Sequence, residues 1–128
     1  MKDMKEFPKF MKNEQNKIDS TLTLEKDKDG YFFEGKDGVQ MVIWTYLKDT
    51  STDDHIHRFD EYIACVKGKY TLIINGEEIV LNPGDEYHIP ANTLHKSESK
   101  MGTRTIHAFD GKRYNKLHHV FNNYFKSL

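Results

Sequence analysis

Short apolar runs alternate with turn residues along most of this chain. Between Gly30 and Phe109 the runs are rich in β-branched and aromatic residues, and turn signals separate them about every ten residues. Such a rhythm is typical of short strands in an all-β domain and not of amphipathic helices. The pattern predicts a β-barrel over residues 30–110.

One hairpin is predicted most clearly. Asn75-Gly76 separates two apolar runs, residues 70–74 and 78–81. Asn-Gly accepts the positive φ angles of a type I′ turn, which joins antiparallel strands tightly. Asp37-Gly38 predicts a second hairpin turn, and residues 82–85 predict a further change of direction.

The two ends of the chain have different patterns. After Gly111 a stripe of apolar residues follows helical spacing and predicts a C-terminal α-helix over residues 111–128. This helix is expected to cover the outside of the barrel or to form a subunit interface. The stripe consists of Tyr114, Leu117, Phe121, Tyr124, Phe125 and Leu128.

Residues 1–29 interleave lysines with acidic residues and carry only a small apolar cluster, residues 7–11. Such an arm cannot form a core of its own. We expect it to lie across its own barrel or that of a neighbour, so a homodimer is the expected assembly.

Composition narrows the function further. The 128 residues suit one domain, and 19 basic against 20 acidic residues give a net charge of −1. Nucleic acid and membrane partners are therefore disfavoured, and the charged N-terminus predicts a cytoplasmic protein. Cys65 is the single cysteine, which excludes an intramolecular disulfide and predicts a core residue.

Residues 55–61 contain candidate metal ligands. Side chains two residues apart on a strand share a face, so His55 and His57 can reach one ion. Glu61 lies at another even offset and can add a carboxylate oxygen if the chain bends there. Imidazole and carboxylate together suit several divalent metals.

The spacing resembles the two sequence motifs of the cupin superfamily. His-x-His, three residues, Glu, six residues and Gly correspond to His55, His57, Glu61 and Gly68. The second motif is matched at three further positions, Gly84, Pro90 and His95.

Three positions depart from the family pattern. Asp49 stands where the first motif opens with Gly, Asn92 replaces the turn Gly, and Ser99 replaces the closing Asn. None of them is a ligand, and Asn tolerates the left-handed backbone that a turn Gly adopts.

The resemblance implies a double-stranded β-helix (jelly-roll) barrel around one divalent ion, which could be Zn, Fe, Mn, Ni or Cu. It also implies that the ion is held by His55, His57, Glu61 and His95. The alternative is a family member that keeps these residues and holds no metal.

Other residues are candidates for a pocket beside the ion. Trp44, Tyr46, Phe59 and Tyr70 could form apolar walls, although each could equally be core. His107 could line the pocket as a general acid or base, or it could be hydrogen-bonded or face outward.

Three functional hypotheses follow. The first is a metal-dependent isomerase, lyase or dioxygenase acting on a small oxygen-rich metabolite. The second is a binding or sensing module that uses the same metal to recognise a small molecule. The third is an oligomeric scaffold with an incidental metal. Fold alone does not choose between them.

Overall fold

Two antiparallel sheets make up the fold in the computed structural model, which describes residues 4–19 and 27–114. The strands within these ranges are β1 (Lys28–Glu34), β2 (Gln40–Tyr46), β3 (Thr50–Ser51), β4 (Glu61–Lys67), β5 (Tyr70–Ile74), β6 (Glu77–Leu81), β7 (Glu86–Ile89), β8 (Lys96–Ser99) and β9 (Arg104–Phe109). One sheet has the order β1-β2-β9-β4-β7 and the other β3-β8-β5-β6. The predicted all-β jelly-roll barrel is confirmed.

The core lies between the two sheets. Val42 and Ile63 from the five-stranded sheet and Leu72 and Leu81 from the four-stranded sheet belong to one buried cluster. Cys65 is part of it and is 2% exposed, as predicted. Alternate residues of each strand face this interior because side chains on a strand point to opposite faces in turn.

Backbone geometry confirms two turn predictions. Asn75 and Gly76 have φ angles of 54° and 77°, and the strands on either side pair in register from Tyr70 with Leu81 to Ile74 with Glu77. Asn92 has a φ angle of 64°, so it adopts the left-handed conformation that its replacement of the turn Gly requires.

The described part of the N-terminal segment contacts its own barrel. It contains two short 3-10 helices, Lys9–Met11 and Glu14–Asn16. Phe7 packs with Tyr31 and Ile43 in a second buried cluster, on the face of the five-stranded sheet that points away from the main core. Exchange of this segment between subunits stays a prediction.

Only the beginning of the predicted C-terminal helix can be compared with the structure. Residues 111–114 form a bend, and residues 115–128 lie outside the described residues. Tyr114 belongs to the main core, where its ring contacts those of Phe32 and Trp44. Within the described ranges, no helix has the length and apolar character needed to cross a membrane.

Candidate metal centre

Backbone hydrogen bonds bring the two sequence motifs together. His55 and His95 form an isolated antiparallel bridge, with N–H to carbonyl distances of 2.9 and 3.0 Å in the two directions. The Asn92 N–H donates to the carbonyl of His57 at 2.7 Å. The left-handed turn at Asn92 therefore packs directly against the segment between β3 and β4 that carries the first two histidines.

Three imidazoles meet at this junction. His55, His57 and His95 each offer one nitrogen, and these nitrogens lie within 4.8 Å of one another. Nδ1 of His55 is 2.9 Å from the carbonyl of Asp53, and Nδ1 of His95 is 2.8 Å from that of Thr93. A carbonyl can only accept, so Nδ1 carries the proton in both rings and Nε2 keeps the lone pair that a metal requires.

Glu61 completes the cluster as the first residue of β4. Its Oε1 lies 3.6 Å from Nε2 of His57 and 3.6 Å from Nε2 of His95, which is too long for hydrogen bonds. This oxygen is buried and has no hydrogen-bond partner among the described residues. Because buried polar atoms are nearly always satisfied, a carboxylate oxygen without a hydrogen-bond partner beside three imidazoles suits the binding of a cation.

The other carboxylate oxygen of Glu61 is hydrogen-bonded to a buried histidine. Glu61 Oε2 accepts a hydrogen bond from Nδ1 of His107 at 2.7 Å, and Nε2 of His107 is 2.9 Å from Oγ1 of Thr105. His107 is 4% exposed. Both of its ring nitrogens are engaged, so this histidine orients the carboxylate.

Burial and neighbouring charges shift the pKa values of the cluster. Burial lowers the pKa of His57 to about 3, and the nearby Arg113 cation adds to this effect. Burial also acts to lower the pKa of His95, but the Glu61 carboxylate and the hydrogen bond to the Thr93 carbonyl together outweigh it and the net shift is upward. Burial alone would raise the pKa of Glu61, yet the hydrogen bond from His107 and the proximity of His95 hold it well below its usual range.

Arg113 lies directly over this cluster. Its Nη1 is 2.9 Å from Nδ1 and 3.1 Å from Nε2 of His57. An atom nearly equidistant from both ring nitrogens sits over the ring face, because the in-plane directions of those nitrogens diverge. The guanidinium also contacts the rings of Phe109 and Tyr114 at 5.6 and 5.5 Å.

A buried amide holds the segment that carries Arg113. Gln40 on β2 is fully buried. Its Oε1 accepts from the backbone N–H groups of Arg113 and Tyr114 at 3.0 and 2.9 Å. Its Nε2 donates to the carbonyl of Tyr114 at 2.6 Å and to Glu34 at 2.8 Å.

The candidate ligands open onto a cavity of about 350 Å³. Its wall includes Trp44, Tyr46 and Lys28, and the Lys28 side chain is buried against the two aromatic rings, with Nζ 5.0 and 5.4 Å from their centroids. A cavity of this size admits a small molecule beside the cluster.

The other predicted pocket residues lie close to this cavity but do not line it. Tyr70 packs behind His107, with ring centroids 5.7 Å apart, and Phe59 stacks on His57 at 5.4 Å. His88, whose orientation the sequence left open, faces outward and bonds Asp60 at 2.8 Å.

Three residues of the site were not predicted from the sequence. Lys28 lies at the start of β1, within the segment assigned to the N-terminal arm, and Arg113 lies within the predicted helix. Gln40 was predicted only as part of a strand. Gln40 alone carries a sequence signal, because a polar residue at an inward-facing strand position needs a buried partner.

Comparisons with known proteins agree with this fold. The Cupin domain family matches residues 42–111. Quercetin 2,3-dioxygenase from Bacillus subtilis (strain 168) is 37% identical over 79 residues, covering 58% of this chain and 20% of the relative. The chain thus spans about a fifth of that relative's length.

Solved structures share the fold. An RmlC-like cupin from Shewanella frigidimarina NCIMB 400 has a TM-score of 0.67 at 21% identity, covering 86% of this chain and 96% of that one. KdgF from Halomonas sp. has a TM-score of 0.64 at 20% identity, covering 71% and 84%. With the family match extending over more than half of its residues, this chain belongs to the cupin family.

Proposed function

We propose that this cupin binds one divalent metal ion through His55, His57, Glu61 and His95 and acts on a small oxygen-rich molecule in the adjoining cavity. The observation that carries the proposal is the buried, unpartnered Oε1 of Glu61, 3.6 Å from two imidazole nitrogens. The similarity to a quercetin 2,3-dioxygenase supports it.

The donor set suits a catalytic ion. Three neutral imidazoles and one carboxylate leave coordination positions for a ligand, and when bound such an ion supplies Lewis acidity or, as iron, dioxygen chemistry. Isomerase, lyase and dioxygenase reactions all use this chemistry. The identity of the metal selects among them.

The protein's own residues have separable tasks in this proposal. His107 is a positioning residue, because it donates to Glu61 Oε2 and leaves Oε1 directed at the cluster. Trp44 and Tyr46 give the cavity apolar walls that exclude water from the bound molecule. The backbone carbonyls of Asp53 and Thr93 keep Nε2 of two ligands unprotonated.

Metal binding is tested by comparing three histidine variants. Protein purified without chelator should contain about one equivalent of a divalent metal by elemental analysis. His57→Ala and His95→Ala should each lower metal affinity by about a hundredfold or more, because even outer-sphere partners of metal ligands contribute about 10–100-fold.

His88→Gln is the matched control, since His88 is an exposed histidine on the outer face. It should keep full metal content. Equal metal binding by all three variants would contradict the proposal. Once metal binding is established, turnover of keto acids, sugars or catechols by the metal-loaded protein would identify an enzyme. Tight binding of these molecules without turnover would favour a sensing module.

A further inference from the structure

Two cationic side chains line the cavity that the candidate metal ligands share. Lys28 and Arg113 both belong to its wall, although neither is a metal ligand. Lys28 is 8% exposed, which is unusually low for a lysine side chain.

The Lys28 ammonium is held in place by aromatic rings. Its Nζ lies 5.0 Å from the centroid of Trp44 and 5.4 Å from that of Tyr46, within the range of cation–π attraction. An ammonium has three N–H donors, so it can bind an incoming anion in addition to its contacts within the protein.

Arg113 presents a second set of donors beside the candidate metal position. Nε donates to Oη of Tyr114 at 3.1 Å, Nη1 lies over His57, and Gln40 holds the backbone of the segment. A divalent ion bound by the histidines would repel this guanidinium, and an anionic ligand group between them would turn the repulsion into two attractions.

Negative charge in the cavity wall is distributed unevenly. Glu61 is buried and belongs to the candidate ligand set. Among the described residues, the other acidic ones lining the cavity are Asp53 and Asp54, which are exposed, where water and salt screen their charge. The inner wall is therefore suited to an anion.

We infer that the small molecule bound in this cavity carries an oxyanion group, a carboxylate or a phosphate, and that Lys28 and Arg113 bind it. This inference rests on the proposed function, because the remainder of the molecule would be held at the metal. It assigns Lys28 and Arg113 as specificity-determining residues for charge.

The test compares anionic chelating probes with neutral analogues. One set consists of catechols with a carboxylate attached directly or through one or two methylenes, each matched with its neutral amide. The second set is the phosphate dihydroxyacetone phosphate with its neutral analogue dihydroxyacetone. Binding to the full chain is measured by calorimetry with zinc and by NMR titration without it.

The wild-type protein should bind the charged member of at least one pair about tenfold more tightly, the usual effect of one hydrogen bond to a charged group. Lys28→Met keeps the length of the side chain and should reduce this preference to about threefold or less. Affinity for the neutral probe should stay unchanged. Whichever set shows the preference distinguishes carboxylate from phosphate.

Lys48→Met is the matched control, because it removes the same charge from a side chain that is 73% exposed and lies outside the cavity wall. It should keep the full preference. If Lys28→Met does not fold, Arg113→Gln on the half-buried bend makes the same comparison.

Failure of the inference and failure of the proposed function give different results. Equal binding of charged and neutral probes, or a preference that survives both substitutions, overturns the inference even if zinc binds. A protein that binds neither zinc nor iron, manganese, nickel or copper overturns the proposed function, while the zinc-free titration still decides whether Lys28 and Arg113 select anions.

Discussion

The two oxygens of Glu61 have different environments. Oε2 is hydrogen-bonded to His107, whereas Oε1 is buried without a partner among the described residues. Leaving a buried acceptor unsatisfied costs about 1–3 kcal/mol. The fold holds this oxygen toward His57 and His95 despite that cost, which is the arrangement expected where a cation supplies the missing interaction.

His57 makes the stability of the metal-free protein depend on pH. Its pKa is lowered to about 3 in the folded protein, while an unfolded histidine titrates near 6.5. As the pH falls below about 6.5 the unfolded state takes up a proton that the folded state does not. The contribution of His57 therefore lowers the free energy of unfolding by about 1.4 kcal/mol per pH unit between about 6.5 and 3.

Urea denaturation of the metal-free protein at several pH values measures this effect. His57→Gln removes the titrating group and should flatten the pH dependence below about 6.5 relative to the wild type. Parallel curves for the two proteins would show that His57 does not stay neutral in the folded state. Glu61 acts at lower pH, because its lowered pKa adds stability that is lost only as the pH falls below about 4.5.

Single-residue prediction succeeded where local spacing is informative. Their spacing indicated that His55, His57 and Glu61 approach one point, and the structure brings them together, although the two histidines lie in the connection between β3 and β4 and not on a strand face. The tolerance of Asn for left-handed backbone anticipated the turn at Asn92. Lys28 and Arg113 lie far apart in the sequence and approach the cavity only through folding. No local pattern marks such residues, because their function depends on burial and on distant neighbours.

At the scale of the elements, β2 connects the barrel to the segment that follows β9. Gln40 begins this strand, is fully buried, and hydrogen-bonds the backbone of Arg113 and Tyr114. Gln40 is more than seventy positions away from Tyr114 in the sequence. Its side-chain amide nevertheless holds Arg113 over the histidines and Tyr114 in the core.

Gln40→Glu tests this connection with a side chain of the same shape. The second carboxylate oxygen would face the carbonyl of Tyr114 and the Glu34 carboxylate, both of which now accept from Nε2. We expect a loss of about 2–4 kcal/mol in stability and a changed fluorescence of Trp44, the single tryptophan, because its ring contacts Tyr114.

The exposed Gln15 provides the control. Gln15→Glu makes the same chemical change and should leave both stability and fluorescence unaltered. A Gln40→Glu protein as stable as the wild type would mean that the segment does not depend on this amide.

Whole elements were predicted correctly where a local turn determines them and incorrectly where a distant contact does. The β5–β6 hairpin follows from Asn75-Gly76, because a two-residue turn determines the register of both strands. The apolar stripe after Gly111 placed Tyr114 on a helix covering the barrel. In the structure Tyr114 lies inside the core instead, because the chain bends at residues 111–114 and the buried Gln40 side chain hydrogen-bonds the Tyr114 backbone.

At the scale of the molecule, the candidate ligands come from parts of the chain that are distant in sequence. Glu61 begins a strand of the five-stranded sheet, and His95 immediately precedes β8 in the four-stranded sheet. His55 and His57 lie in the connection between β3 and β4. A bound ion would therefore link both sheets of the barrel.

Zinc should stabilise the whole barrel against thermal unfolding. At a free concentration about 100-fold above Kd, binding to the folded state alone adds about 2.7 kcal/mol. In His57→Ala, whose affinity is lowered about a hundredfold or more, the stabilisation should fall to about 0.4 kcal/mol or less. In His88→Gln the rise in Tm should equal that of the wild type. An equal rise in all proteins would place the bound zinc elsewhere.

Cys65 offers a built-in measure of how often the barrel opens. Its thiol is enclosed between the sheets, and burial raises its pKa, so an alkylating reagent can reach the reactive thiolate only after the strands separate. Iodoacetamide labelling followed by mass spectrometry would count these openings at a single atom, without any engineered probe.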